Sequence, residues 1–197
     1  ARRQRQMCIR DSWKGVPYAQ PPVGALRWQP PAEPAAWTGE RSATRFGSAC
    51  LQMGRIYGPG ANNHFVDTIG QTLNTPLGSE DCLTLNIWRP ATAQDNLPVL
   101  VFIHGGSAIS GYTADPVYDG AALAKSANAI VVTANYRLDV LGYLQLPALH
   151  AGNNGNGSSA GGSTYTGNYA LLDVVQALRF VQGNIARFGG LSLIHIS

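Results

Sequence analysis

Two kinds of apolar pattern alternate along this chain. Val99-Leu100-Val101-Phe102-Ile103 is unbroken apolar sequence, which predicts a strand buried on both faces, and it runs directly into Gly105-Gly106. Leu83-Thr84-Leu85-Asn86-Ile87-Trp88-Arg89-Pro90 instead alternates apolar with polar and ends on proline, the pattern of a half-buried strand, here expected to pair antiparallel with the first. Ala129 to Tyr136 predicts a further buried strand, and Asp119 can cap a helix through Ala127 between the two apolar strands. Strand, helix and strand at this spacing form a βαβ unit, so the sheet is expected to be parallel there with a right-handed crossover. Leu171, Val174, Val175, Leu178, Val181, Ile185 and Phe188 fall on one helical stripe, with Asn168 as N-cap, Arg187 near the end and Gly189-Gly190 beyond it. The fold class is α/β, with helices packed on a sheet.

Between these elements the pattern breaks. Prolines 17, 21, 22, 30, 31 and 34 predict an extended, irregular segment from Trp13 to Pro34, held by Tyr18, Leu26, Trp28 and Trp37 as apolar anchors. Arg27 in that segment calls for a carboxylate, with Glu80 or Asp81 as candidates. His150 to Thr166 is Gly, Ser and Asn of low complexity and predicts an exposed loop.

Composition changes the picture once the ends are considered. Met7 to Ser12 and Leu191 to Ser197 can be encoded by DNA strings that are reverse complements of each other, and they resemble the end sequence of a transposase used to fragment DNA. Residues 1–12 and 191–197 are therefore expected to be adapter-derived, leaving 13–190 as the natural portion. The whole chain carries 14 Lys and Arg against 11 Asp and Glu. Removing Arg2, Arg3, Arg5, Arg10 and Asp11 leaves 10 of each sign, so the apparent basicity, and with it the case for a nucleic-acid or anionic-membrane partner, belongs to the tail. No apolar run approaches the roughly 20 residues a bilayer span requires. Cys50 and Cys82 remain in this portion. Paired, they would close a loop of about 33 residues, contribute roughly 3 to 4 kcal/mol and favour an oxidising compartment; two separate buried thiols are the alternative.

Candidate chemistry gathers at His104-Gly105-Gly106-Ser107. Glycine at a strand end allows positive φ and lets main-chain N–H groups point outward, which is how backbone holds a developing negative charge; a plain tight βα turn is the competing account. Gly157-Ser158-Ser159-Ala160-Gly161 spells the G-x-S-x-G of a nucleophile elbow, but no apolar strand precedes it, so Ser159 is not expected to be a nucleophile. Asn156-Gly157-Ser158 is a glycosylation sequon by letters only.

Four blocks in order then resemble the type-B carboxylesterases and cholinesterases: Lys14 to Trp28 (K-G-V-P-Y-A-Q-P-P-V-G-A-L-R-W), Ser79 to Trp88 (S-E-D-C-L-T-L-N-I-W), Asn135-Tyr136-Arg137, and Gly167 to Asp173 running on to Phe188-Gly189-Gly190. The resemblance implies the N-terminal part of an α/β-hydrolase fold, an incomplete mixed and mostly parallel sheet, and ester hydrolysis by a Ser, Glu/Asp and His triad without cofactor or metal. The triad would lie beyond Gly190, so the fragment alone is expected to be inactive. It implies an oxyanion hole from the N–H groups of Gly106 and Ser107 in the His104-Gly105 loop, with Ser107 standing where the family has a third glycine. It also implies a Cys50–Cys82 disulfide and a structural Arg27–Glu80 ion pair, and the disulfide in turn points to a secreted or periplasmic location. His104 then braces the loop, while His64 and His150 are solvated. Leu51 to Asp81 holds no tryptophan, only Tyr57, His64 and Phe65 as large rings, which favours small-molecule carboxylic esters over choline esters. The same fold also serves binding proteins that have lost the nucleophile, so a catalytically dead adhesion protein is the alternative. A sheet cut at this point would leave a long apolar edge and an uncovered helix stripe.

Overall fold

Strand order is the first thing the packing decides. In the computed structural model, which describes residues 9–65, 68–146 and 167–191, four strands form one sheet: β1 (Ile9–Pro17), β4 (Thr84–Pro90), β6 (Ile130–Ala134) and β5 (Val99–Ile103), in that spatial order. β1 pairs antiparallel with β4, β4 antiparallel with β6, and β6 parallel with β5. Two short strands, β2 (Gln52–Met53) and β3 (Pro76–Leu77), pair antiparallel apart from it. The expected antiparallel pairing of β4 with β5 does not form, because β6 lies between them. The helices are α1 (Ala121–Ala127), α2 (Asp139–Tyr143) and α3 (Tyr169–Asn184), the last continuing as a tighter turn over Ile185–Phe188. The β1 ladder begins at Ile9, opposite Pro90, and takes in Trp13–Pro17, which the prolines had predicted to be irregular.

Burial inverts the expectation drawn from the two apolar patterns. β4, with its alternating sequence, is central and buried on both faces. Leu85 and Ile87 join Ile130, Val132, Ala177 and Val181 under α3, while Trp88 packs with Val131 and Ala124 under α1. Its polar position is used inside the sheet: Asn86 donates to Thr133 Oγ1 (3.0 Å) and accepts from the Gly15 N–H (3.0 Å). β5, uniformly apolar, is instead an edge strand among the described residues. Val99, Val101 and Ile103 pack toward α3, but Leu100 and Phe102 are 41% and 44% exposed on the other face.

The apolar stripe of α3 holds along most of its length, with Val174, Val181, Ile185 and Phe188 in or against the core. Ala170, Asp173, Ala177 and Val181 face inward, and Leu171 is exposed. Asp173 is the charged member of the buried face. Its carboxylate accepts from Arg137 Nε (2.8 Å), Nη2 (2.7 Å) and backbone N–H (3.1 Å), and both side chains are buried. Burial pushes the Asp173 carboxyl upward, and the guanidinium bonds pull it back. Asn168 occupies the cap position of α3 without a side-chain capping bond, and Gly189 closes its end at φ 82°. Trp37, expected as an anchor, is 47% exposed, stacked under Arg41. His150, Asn156 and Ser159 lie outside the described residues.

A buried ion pair broken from one side leaves an uncompensated charge. Asp173→Ala is expected to cost about 3–5 kcal/mol in urea unfolding, and Arg137→Met with Asp173→Leu to recover most of it. A loss under about 1 kcal/mol for Asp173→Ala would contradict the role given to this pair.

Candidate active site

The His104 loop is built by two peptide carbonyls that are held in place. His104 is 3% exposed, its ring stacked on Tyr136 at 4.5 Å and 18°, and its own carbonyl accepts from the Tyr136 hydroxyl (2.8 Å). His104 Nδ1 donates to the Gly105 carbonyl (3.0 Å). Burial lowers the imidazole's pKa against a smaller upward pull from that carbonyl, so the ring is neutral with its proton on Nδ1. Gly106 follows at φ 122°, and its carbonyl accepts from the Ile109 and Ser110 N–H groups (both 3.1 Å) and from Ser110 Oγ (3.2 Å). A Cβ on Gly106 would collide with the Ser110 carbonyl, so only glycine fits.

In a trans peptide the N–H points opposite to the C=O. With the Gly105 carbonyl turned toward His104, the Gly106 N–H is turned away from it. With the Gly106 carbonyl turned into the Ile109–Ser110 turn, the Ser107 N–H is turned outward. Neither N–H has an acceptor among the described residues. Ser107 and Ala108 carry φ of 56° and 61°, a left-handed conformation costing non-glycine residues about 1–2 kcal/mol each. The Ala108 carbonyl accepts from the Asp139 N–H (2.8 Å), which ties the far side of the loop to α2.

Across from the loop stands the segment between Cys50 and Cys82, which are joined as a disulfide. A cleft of about 650 Å³ separates the two, with Gly105, Gly106 and Ser110 on one wall and Met53, Ile56, Tyr57 and Leu73 on the other. Tyr57 borders the cleft, and Phe65 does not. Arg27 makes a bidentate pair with Glu80 (2.7 and 2.6 Å), joining the proline-rich segment to the Cys82 end of the loop at the surface, away from the cleft. His64 is not merely solvated: its Nε2 bonds the Phe46 carbonyl at 2.7 Å.

Several side chains hold this region by hydrogen bonds that the sequence pattern did not assign to them. Asn135 accepts from the Thr113 N–H (2.9 Å) and donates to the Ser48 carbonyl (3.0 Å), while its own carbonyl accepts from the buried Tyr18 hydroxyl (2.6 Å). Burial first, and the Asp173 charge second, hold the Tyr18 phenol well above its usual range, so it remains a donor. Gln52 bridges the disulfide segment to Gly111. A signal existed for the first group: Asn135-Tyr136-Arg137 sets three hydrogen-bonding side chains directly after a buried strand.

Comparison with known proteins follows the same lines. A family model described as the carboxylesterase family matches residues 2–192. The chain is 42% identical over 181 residues to fumonisin B1 esterase of Sphingopyxis macrogoltabida, covering 91% of this chain and 29% of that protein. It is 40% identical over 178 residues to para-nitrobenzyl esterase of Bacillus subtilis (strain 168), covering 90% and 32%. Human cocaine esterase (Homo sapiens) is 40% identical over 182 residues, covering 91% and 29%. Among solved structures, a thermophilic PNB esterase superposes with a TM-score of 0.73 at 37% identity, over 91% of this chain and 32% of its own. The chain thus spans about a third or less of the relatives it matches.

His104 gives a pH test of the loop's internal bonding. Its folded pKa lies below the ordinary value near 6.5, so above that pH both folded and unfolded states are neutral there. As pH falls below about 6.5 the unfolded state takes the proton first, and stability is lost until the folded value is reached. The wild-type protein should lose stability over that range more steeply than His104→Phe; equal slopes would show that His104 does not titrate as described.

Proposed function

The chain belongs to the carboxylesterase family, and from that premise we propose that it supplies the oxyanion-binding part of a serine esterase acting on small-molecule carboxylic esters. The observation that carries this is the pair of outward N–H groups of Gly106 and Ser107 in the loop after β5, whose Gly105, Gly106 and Ser110 line the cleft. In the mechanism a serine attacks the ester carbonyl while a histidine takes its proton. The carbonyl oxygen becomes an oxyanion, held by the two N–H groups and a third from the residue after the serine. Collapse expels the alcohol, and water releases the acid by the same route.

The triad is proposed to lie beyond Gly190. Support comes from the edge of the sheet: Gly189 and Gly190 run parallel to Leu97, with the Leu97 N–H on the Gly189 carbonyl (3.0 Å). A further strand running parallel to β5 on its open side would end beside Gly105-Gly106. That is where an elbow serine has to stand for its intermediate to meet these donors. Nothing in the geometry favours a purely adhesive protein. The absence of tryptophan between Leu51 and Asp81 supports general esters over choline esters. The Cys50–Cys82 bond supports an oxidising, secreted or periplasmic setting.

The test is made on the enzyme carrying its complete domain. The sequence after Gly190 should encode a G-x-S-x-G elbow, and p-nitrophenyl esters should be turned over faster than acetylthiocholine. Ser107→Gly keeps the N–H and relieves the left-handed strain, so kcat should be retained. Ser107→Pro removes the N–H and cannot adopt φ 56°, and should lower kcat about 100- to 1,000-fold. An unchanged kcat in Ser107→Pro would remove Ser107 from the role.

A further inference from the structure

We infer that Gln52 is a positioning residue for the oxyanion loop, acting through Gly111 to hold the peptide that presents the Gly106 N–H. This builds on the esterase function proposed above. Gln52 is 8% exposed and lies in β2, two residues from Cys50 of the disulfide. Its amide is used in three directions. Nε2 donates to the Cys50 carbonyl (3.0 Å) and the Gly111 carbonyl (2.9 Å), and Oε1 accepts from the Gly111 N–H (3.0 Å). Both polar groups of Gly111 are therefore gripped by one side chain whose other bond leads to the disulfide.

Gly111 in turn lies directly against the loop. It sits at φ 121°, and a Cβ there would collide with His104 Nδ1 and with the Gly105 carbonyl oxygen. Those are the donor and acceptor of the bond that turns the Gly105–Gly106 peptide. Gly111 thus backs the carbonyl side of the same planar unit whose N–H faces outward. A Gln52 side chain that can no longer hold Gly111 frees that backing. The N–H then spreads over a range of directions, which weakens its bond to an oxyanion more than any contact with the neutral ester. A side chain with the length of glutamine and both hydrogen-bonding senses is required: leucine supplies neither, and glutamate keeps the acceptor but turns a carboxylate toward two carbonyls.

The experiment compares Gln52→Leu and Gln52→Glu with wild type in the enzyme carrying its complete domain. Active sites are counted by burst titration, so unfolded protein does not enter the rate. Three quantities are measured: kcat per titrated site and KM on p-nitrophenyl butyrate, and the inhibition constant of a trifluoromethyl ketone, whose adduct carries the oxyanion. Both variants should lower kcat about 10- to 100-fold with KM changed less than about twofold, and should weaken the ketone by the same factor as kcat. If kcat per site stays within about twofold of wild type in either variant, whatever happens to the melting temperature, Gln52 is only structural. A fall in kcat without weaker ketone binding also overturns the inference. Ser107→Pro separates the two ideas: if it retains full kcat, the oxyanion assignment itself fails, whereas its loss beside an active Gln52→Leu removes only Gln52.

Discussion

The geometry of the His104 loop follows from the planarity of two peptide units. Each carries a C=O and an N–H that must point in opposite directions, so fixing one fixes the other. The Gly105 carbonyl is held by the neutral His104 ring, and the Gly106 carbonyl by a three-donor turn through Ile109 and Ser110. Two N–H groups are thereby left facing outward with no protein acceptor among the described residues. That costs little at an exposed strand end, where water can serve them, and it is the arrangement on which the proposed oxyanion site rests.

Everything behind the loop serves to keep those carbonyls still. Tyr136 holds the His104 backbone from the parallel neighbour of β5, and its ring packs the imidazole. The next residue, Arg137, is locked to Asp173 on α3, so the end of β6 is fixed to the helix that covers the sheet. Asn135, one residue before Tyr136, reaches Ser48 and Thr113, tying the same strand end to both the disulfide segment and the loop's return path. Three consecutive side chains after one strand thus connect the sheet, the helix and the loop. The strain of Ser107 and Ala108 at positive φ is sustained by this surrounding network, as expected where backbone geometry is constrained for a purpose.

Much of this was legible in the sequence, and what was not has physical causes. The strand into Gly105-Gly106, the helix and the second strand follow from apolar runs and turn chemistry, which report local structure. The order of strands does not: β4 and β5 are neighbours along the chain, yet β6 comes between them, and nothing in either strand's own residues encodes that. The burial of Asn86 and Arg89 on an alternating strand was not legible because their partners lie elsewhere in the fold, Thr133 for Asn86 and the Gln94 carbonyl and Asp95 carboxylate for Arg89 Nη2. The apolar stripe of α3 did not show that Asp173 is buried, because its partner Arg137 lies 36 positions away, nor that Leu171 is exposed. Gln52 left no signal at all, since a polar residue in a polar loop looks the same whether it grips backbone or faces water.

The most direct measurement is a crystal structure of the enzyme with its complete domain, inhibited by a phosphonate ester whose tetrahedral phosphorus mimics the intermediate. The phosphonyl oxygen is predicted to lie about 2.7–3.1 Å from the backbone nitrogens of both Gly106 and Ser107. An adduct whose oxygen points to solvent, or is held by other groups while these two nitrogens stay unengaged, would contradict the account.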